Sequence, residues 1–170
     1  GTVTALIEFD SFEITTYRTD GEYSDNRHPE NVKFVSNIDD DLSRRDFTVN
    51  AIAFNPNKNE IVDLFGGKKD IENKVIKAVG NADVRFNEDA LRIMRAVRFS
   101  STLSFNIEEK TKTAIFKNKD LLKNVSKERL FSELSKLLMG DNVFSVLTEY
   151  KEVLAVIIPE LIPTFTCKQN

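Results

Sequence analysis

The hydrophobic period of the chain changes once, near residue 83, and this change limits the folds open to it. Before that point apolar residues alternate with a period of two, which is typical of half-buried strands. Beyond it they recur with a period of about 3.6, which is typical of amphipathic helices. The pattern therefore predicts an α+β fold with strands first and helices after them, the helices covering roughly residues 88–103, 108–123, 126–139 and 142–157.

Alternating residues predict a β-hairpin over residues 2–18, with its turn at residues 10–11. This register places Glu8 opposite Glu13, where two like charges must be solvated or bridged by a cation. Glu13 is therefore either an outward-facing residue on a wet sheet face or a metal-binding carboxylate. The chain begins inside this first strand, so we expect a segment upstream of it. We also expect its open edge, at residues 1–9, to favour self-pairing that size-exclusion chromatography would detect.

The remainder of the first half predicts a second hairpin and a long loop. Residues 51–54 and 61–64 read as the paired strands, followed by a short helix near residues 70–73 and a last strand over 75–79. Residues 19–43 show no sustained period, so they predict a loop. The single histidine, His28, lies in that loop and the single cysteine, Cys167, near the end of the chain, so neither a disulfide nor a cysteine–histidine metal site is predicted.

The charge of the chain is uneven. Its net charge is only −3, yet residues 83–138 carry 12 Lys and Arg against 8 Asp and Glu. A basic middle on an acidic chain fits contact with a polyanion at one face, although an ordinary solvated helical surface explains it equally well. No apolar run approaches the length that crosses a bilayer, and the first residues of the sequence lack the basic-then-apolar pattern of a secretory signal, so we expect a soluble, cytoplasmic protein.

One helical segment carries most of the candidate chemistry. Asp89, Arg92, Arg95 and Arg98 follow one another at intervals of three, which places them along one ridge of a single predicted helix. Three arginines exceed what one aspartate can pair, and exposed pairs of this kind contribute only about 0.2–0.5 kcal/mol. The surplus positive charge favours phosphate binding. The competing interpretation is a network of salt bridges that joins the two halves of the chain.

Four segments of the chain resemble the bacterial tRNA nucleotidyltransferase family, in the family's order and at similar spacing. This family comprises the class II CCA-adding enzymes and their relatives, the bacterial poly(A) polymerases. The resemblance covers nearly the whole length of the chain. It rests on residues 44–51 (RRDFTVNA), 63–67 (DLFGG), 88–95 (EDALRIMR) and 129–134 (RLFSEL).

The resemblance implies three regions and a reaction. Residues 1–82 would be an incomplete nucleotidyltransferase head, a mixed or antiparallel sheet with helices; residues 83–140 would be a helical neck, and residues 141–170 the start of a helical body. The reaction would transfer CMP or AMP from CTP or ATP to the tRNA 3′ end, with Mg²⁺ held by carboxylates. The family's principal metal-binding aspartates belong upstream of residue 1. Glu13 resembles the third carboxylate of the superfamily, but one carboxylate cannot hold two metal ions. The chain alone is therefore expected to be inactive.

The resemblance also implies roles for six residues. Asp89 and Arg92 would act as a protein template that reads the edge of the incoming base. Cytosine N4 and adenine N6 are donors that a carboxylate can accept, and the neighbouring ring nitrogen can accept from a guanidinium. Uracil and guanine have the reverse polarity. Arg45, Arg95 and Arg98 would contact the phosphates or the surround of the base, and Asp46 the ribose hydroxyl.

The sequence leaves several functions open. The loop at residues 18–29 resembles one found in family members that add the terminal A, so it is compatible with an A-adding enzyme or a poly(A) polymerase. The sequence also allows a non-catalytic RNA-binding module without a metal site, or a helical interaction domain. The tRNA acceptor arm would be held through phosphate contacts, for which the candidates are Lys110, Lys112, Lys117, Lys119, Lys123 and Lys127.

Overall fold

Strands occupy most of the first half of the chain and helices the second. The structure is a computed structural model that describes residues 2–21 and 32–165. Within these residues eight short strands form four separate two-stranded sheets, which confirms the α+β class. The strands are β1 Thr2–Ile7, β2 Asp10–Thr15, β3 Arg18–Asp20, β4 Val32–Phe34, β5 Ile52–Asn55, β6 Glu60–Asp63, β7 Val75–Ile76 and β8 Asn106–Ile107. The α-helices are α1 Ile38–Ser43, α2 Gly67–Glu72, α3 Ala82–Glu88, α4 Leu91–Leu103, α5 Glu109–Asn118, α6 Lys127–Leu138, α7 Val143–Glu149 and α8 Lys151–Ile157, and 3₁₀ helices cover Thr48–Asn50, Lys119–Asn124 and Pro159–Phe165.

The first hairpin forms, but its predicted register is wrong. β1 pairs antiparallel with β2 so that Val3 faces Ile14 and Thr4 faces Glu13. The turn lies at residues 8–9 rather than 10–11, and Glu8 adopts a positive φ of 56° in it. This register avoids the pairing of two glutamates that the predicted register requires, because like charges directly opposite each other destabilise a sheet.

One face of this hairpin is apolar and exposed. Val3, Ile7 and Ile14 share the face, and each exposes more than half of its surface, Val3 as much as 65%. Within the described residues β1 and β2 pair only with each other, so their outer edges have no strand partner there. Self-association through such an edge stays a prediction.

Residues 19–43 hold structure that the sequence pattern did not reveal. β3 pairs antiparallel with β4, and α1 follows after Asn37, whose side chain accepts from the Asp39 backbone N–H at 3.1 Å. Elements of three to six residues are too short to show a hydrophobic period. Asn37, a residue type that often caps the start of a helix, was the available sequence signal for α1. His28, most of the predicted 18–29 loop and Cys167 lie outside the described residues.

The second hairpin is confirmed, with β5 and β6 antiparallel. Asp63 at its end caps α2, since its carboxylate oxygens accept from the Gly67 and Lys68 backbone N–H groups at 2.7 and 3.0 Å. Gly66 precedes this helix with a φ of +75°, a conformation that glycine adopts at little cost. Gly67 lets the chain pass close to the carbonyl of Thr48, which a Cβ atom would meet at 2.2 Å. The double glycine therefore has a packing role here.

The helical half differs from its prediction in two places. The predicted helix over 88–103 corresponds to α4, which begins only at Leu91 because the chain is extended at Asp89, and the separate helix α3 before it was not predicted. In addition, β8 pairs parallel with β7, although no strand was predicted after residue 83. Two residues are too few to show alternation. The predicted helix 126–139 corresponds to α6, whereas 108–123 ends in a 3₁₀ helix and 142–157 divides at Tyr150.

The core of the chain is built around α4. Ile93, Met94 and Val97 on this helix are fully buried. They belong to one cluster with Phe47 and Phe86, which come from the segment before β5 and from α3. With one face of α4 held in the core, Arg92 and Arg95 reach residues 44–46, whereas Arg98 reaches Glu133 of α6. No helix among the described residues is both long and apolar enough to cross a membrane.

Candidate nucleotide-binding cleft

A polar cleft of about 640 Å³ lies between the 44–50 segment and the start of α4. It contains all six residues that the sequence predicts for nucleotide binding. Its lining is formed by Arg44, Arg45, Asp46, Asn50, Asp89, Arg92, Arg95, Arg98 and Phe99.

The 44–50 segment is fixed by a buried aromatic ring and by backbone hydrogen bonds. Phe47 is fully buried and contacts Phe99 edge-on, with ring centroids 5.9 Å apart. The Thr48 N–H donates to the Lys77 carbonyl at 2.9 Å, and the Val79 N–H donates to the Asp46 carbonyl at 3.0 Å. The segment is thus anchored on the core at both sides of Phe47, while Arg44, Arg45, Asp46 and Asn50 face the cleft.

Asp46 lies at the centre of a hydrogen-bond network. One carboxylate oxygen accepts from its neighbour, the Phe47 N–H, at 2.8 Å and from the Asn50 amide at 3.2 Å. The other forms an ion pair with the Arg95 guanidinium at 2.6 Å. The sequence predicts that Asp46 contacts a ribose hydroxyl and that Arg95 contacts a phosphate. In this structure the two side chains bind each other.

Asp89 lies between two helices, not on a single rod as predicted. One of its carboxylate oxygens accepts from the Leu91 N–H at 3.1 Å and so caps the start of α4. The other accepts from Arg129 of α6 at 2.8 Å. Each carboxylate oxygen can accept a second hydrogen bond. The side chain is therefore held in place and retains capacity to accept from a base.

Arg92 is held from two sides. Its guanidinium donates to the Glu88 carboxylate at 2.7 Å, to the Arg85 carbonyl at 3.3 Å and to the Arg44 carbonyl at 2.9 Å. A guanidinium has five N–H groups, so these three bonds leave two for a ligand. Glu88 was not predicted as part of the site, although its i,i+4 spacing from Arg92 was a usable signal.

Arg98 lies over an aromatic ring. Its guanidinium carbon is 3.6 Å from the centroid of Phe99, and its Nε donates to the Glu133 carboxylate at 2.9 Å. Stacking and the charge-assisted bond fix the plane of the group. Phe99 and Glu133 were not predicted as site residues. Glu133 belongs to the 129–134 segment that carries the family resemblance, so its place beside the cleft was accessible from the sequence.

Arg44 and Arg45 share one buried carboxylate. Asp41 accepts from Arg44 at 2.6 Å and from Arg45 at 3.2 Å, and it is only 2% exposed. Burial by itself would raise the pKa of Asp41, but the hydrogen bonds and charge of Arg44, with further bonds from the Arg18 amide and Arg45, hold the pKa below its ordinary value. Because a lowered pKa favours the ionised form, the stability that Asp41 contributes is present above its unfolded pKa and is lost as the pH falls through its folded pKa.

Glu13 is the one predicted site residue that the structure does not bring to the cleft. It lies exposed on β2 opposite Thr4, and it is not among the residues that line the cleft. Across residues 2–21 and 32–165, no three His, Cys, Asp or Glu side chains converge into a group that could hold a metal ion. The described residues therefore do not form a metal site by themselves, and the role of Glu13 as a third carboxylate stays a prediction.

The predicted salt-bridge network is also present. Arg95 of α4 pairs with Asp46 and so joins the two halves of the chain. The Arg129–Asp89 and Arg98–Glu133 pairs lie within the second half, where they connect α6 to α4 and to Asp89 before it. The two interpretations are compatible, because the same bonds fix the side chains around an open cleft. The structure thus combines a rigid polar wall with room for a ligand.

The family is shown by comparison with known proteins. Residues 1–77 match the family described as "Poly A polymerase head domain" and residues 104–164 the one described as "Probable RNA and SrmB- binding site of polymerase A". The CCA-adding enzyme of Lactobacillus delbrueckii subsp. bulgaricus is 50% identical over 170 residues, all of this chain and 42% of that enzyme. The chain belongs to the family of CCA-adding enzymes and poly(A) polymerases.

Further relatives and solved structures agree with this membership. The CCA-adding enzyme of Geobacillus kaustophilus is 51% identical over 147 residues, 86% of this chain and 36% of that enzyme. The Bacillus stearothermophilus CCA-adding enzyme in complex with CTP has a TM-score of 0.80 and 42% identity, over 89% of this chain and 36% of that chain. A tRNA nucleotidyltransferase complexed with a primer tRNA and an incoming ATP analog has a TM-score of 0.75 and 34% identity, over 92% of this chain and 44% of that chain.

The chain is thus similar to part of a nucleotidyltransferase. It spans less than half the length of each of these proteins, from 36% to 44%. The two matched stretches leave out residues 78–103, which include α3 and α4. The division into head, neck and body at residues 82 and 140 stays a prediction.

Proposed function

We propose that this chain carries the nucleotide-selecting part of a template-independent nucleotidyltransferase, which transfers CMP and AMP from CTP and ATP to the 3′ end of tRNA. The observation that supports this best is the cleft itself. It places a carboxylate, Asp89, and a guanidinium, Arg92, on one wall beside further arginines. The relatives are CCA-adding enzymes, and one of the similar structures is in complex with CTP.

Selection of the base follows from hydrogen-bond polarity. The exocyclic amine of cytosine or adenine donates to Asp89, while the adjacent ring nitrogen accepts from Arg92. Uracil and guanine have an acceptor and a donor at the same places, so both protein groups would lose their partners. An unpaired polar group in a binding site costs about 1–3 kcal/mol, and two such losses separate the two classes of nucleotide.

The phosphates are assigned to the remaining guanidinium groups. Arg45 is the most exposed of the predicted arginines in the cleft, at 43% of its side chain, so it can reach a ligand without losing a buried contact. Arg95 and Arg98 complete the positive wall, each with one carboxylate partner. The planar guanidinium matches the geometry of phosphate oxygens. Asp46 would reach the ribose hydroxyl through its carboxylate, one oxygen of which also holds Arg95.

Metal chemistry is not assigned to the described residues. Family members of this kind use divalent metal ions, and Mg²⁺ would supply activation of the attacking hydroxyl and charge neutralisation when bound. The carboxylates described here do not build such a site, and Glu13 alone cannot hold two ions. The chain is therefore proposed to bind and select nucleotides rather than to complete the transfer by itself.

Contact with tRNA is proposed on a smaller surface than predicted. Lys117, Lys119 and Lys123 form ion pairs with Asp83, Glu152 and Asp120, and Lys112 is hydrogen-bonded to Glu149. Their charges are partly neutralised within the chain. Lys110 and Lys127 are exposed, and neither forms an ion pair like these within residues 2–21 and 32–165, so they are the better candidates for phosphate contacts.

Two further functions have specific support. A poly(A) polymerase or A-adding enzyme is favoured by the family description that matches residues 1–77. A non-catalytic RNA-binding module is favoured by the description that matches residues 104–164. The first of these functions predicts that ATP binds and CTP does not, and the second that neither binds selectively.

Calorimetric titration of the chain with the four ribonucleoside triphosphates tests the proposal. We expect CTP and ATP to bind at least roughly tenfold more tightly than UTP and GTP, because only the first pair satisfies Asp89 and Arg92. Equal binding of all four, or no binding by a folded sample, would contradict the proposal. Binding of ATP alone would replace it with an A-adding function.

A further inference from the structure

A buried carboxylate outside the predicted site contacts two arginines that line the cleft. Asp41 lies in α1, where it is 2% exposed, while its neighbours Asp39 and Asp40 are exposed. A charge removed from water is costly unless it is paired and hydrogen-bonded. The position of Asp41 among three donors accounts for its burial, and two of those donors belong to the cleft.

The donors connect Asp41 to the nucleotide cleft. Arg44 donates to it through Nη2 at 2.6 Å and Nε at 3.1 Å, and Arg45 donates through Nη2 at 3.2 Å. The Arg18 backbone N–H donates at 3.3 Å, which ties α1 to β3. Arg44 and Arg45 both line the cleft, and the Arg44 carbonyl in turn accepts from Arg92. Asp41 thus contacts Arg44 and Arg45 directly, and it is linked to Arg92 through the backbone carbonyl of Arg44.

We propose that Asp41 is a positioning residue for nucleotide binding, which holds Arg45 in the orientation that receives the triphosphate. This inference rests on the proposed function. One carboxylate neutralises one of the two guanidinium charges, so the pair keeps one positive charge for phosphate. A partly exposed arginine has many rotamers, and fixing it in advance removes an entropic cost from binding. Arg45 is also held by its bond to the Asn50 carbonyl at 3.4 Å, so two contacts define its direction.

The test compares Asp41→Asn with Asp40→Asn in the full chain. Both changes remove one negative charge from α1, but Asp40 is exposed and no contact of its carboxylate with a cleft residue is described. We expect Asp41→Asn to weaken CTP binding about tenfold by calorimetry. Asp40→Asn should leave CTP binding unchanged.

A second readout separates positioning from general loss of structure. The affinity of cytidine, which has no phosphate, is measured by competition against CTP for the same variants. If Asp41 acts through Arg45, the ratio of CTP to cytidine affinity falls in Asp41→Asn, whereas partial unfolding lowers both affinities together. In an Arg45→Gln background, Asp41→Asn should lower the affinity for CTP by a clearly smaller factor.

The outcomes are distinguishable. An unchanged CTP-to-cytidine ratio in folded Asp41→Asn would overturn the inference and leave the proposed function intact. Failure of the unchanged chain to bind CTP would overturn the proposed function and this inference with it. If Asp41→Asn does not fold by circular dichroism, Asp41→Glu keeps the charge and displaces it, and the same ratio, which we expect to fall, decides the question.

Discussion

Replacement of Asp89 by alanine is expected to abolish the preference for CTP and ATP over UTP and GTP. The carboxylate is the acceptor for the exocyclic amine of the base, and alanine offers no acceptor. The loss of that bond should weaken CTP and ATP binding by roughly 10- to 100-fold, since each 1.4 kcal/mol is a factor of ten. UTP and GTP should change much less. Calorimetric titration with the four nucleotides measures both effects.

The control for this change must account for the remaining bonds of Asp89. The carboxylate also caps α4 and pairs with Arg129, so Asp89→Ala should cost about 0.5–2 kcal/mol of stability through the lost cap. Asp83→Ala is the matched variant, because Asp83 lies in α3 and is hydrogen-bonded to Asn118 at 2.6 Å, outside the cleft. It should lose comparable stability and keep the nucleotide preference. A preference that survives in Asp89→Ala would refute the base-reading role.

Phe47→Ala is expected to lower the stability of the fold more than Asp89→Ala does. The ring is fully buried in the main core cluster and contacts Phe99, which forms part of the cleft. Removing such a ring typically costs about 3–5 kcal/mol, because the cavity is only partly filled by relaxation. The free energy of unfolding, measured by urea denaturation, should fall by this amount. CTP binding should also weaken, since residues 44–50 lose their anchor.

Phe54→Ala provides the comparison for Phe47→Ala. Phe54 lies in β5 only seven residues later, but it is 58% exposed. A surface substitution of this kind usually changes stability by less than about 0.5 kcal/mol. Similar losses in the two variants would show that Phe47 does not anchor the segment as described.

The order of strands and helices could be predicted because it depends on local periodicity. The long helices α4 and α6 and the second hairpin follow from apolar residues that repeat along each segment. β8 could not be predicted, because two residues show no period and the strand exists only by pairing with β7. The register of the first hairpin was also wrong, since two registers align its apolar residues equally well and the charges of Glu8 and Glu13 decide between them.

The residues of the candidate site could be predicted from the sequence, but the bonds between them could not. Arg45, Asp46 and Arg92 were found through resemblance and do line one cleft. Asp41 was missed because it stood in an acidic run within a segment without a period, although its spacing of three and four residues to Arg44 and Arg45 was a signal. The break at Asp89 was missed because an aspartate that caps one helix and ends another has the same sequence spacing as one inside a helix.

A structure of the chain with bound CTP tests the central claim most directly. We predict that cytosine N4 lies within about 2.7–3.2 Å of an Asp89 carboxylate oxygen, the usual range for a hydrogen bond. The ring N3 should lie within the same range of an Arg92 nitrogen, with the phosphates beside Arg45. A cytosine ring that contacts neither Asp89 nor Arg92, with CTP bound elsewhere on the chain, would contradict the account.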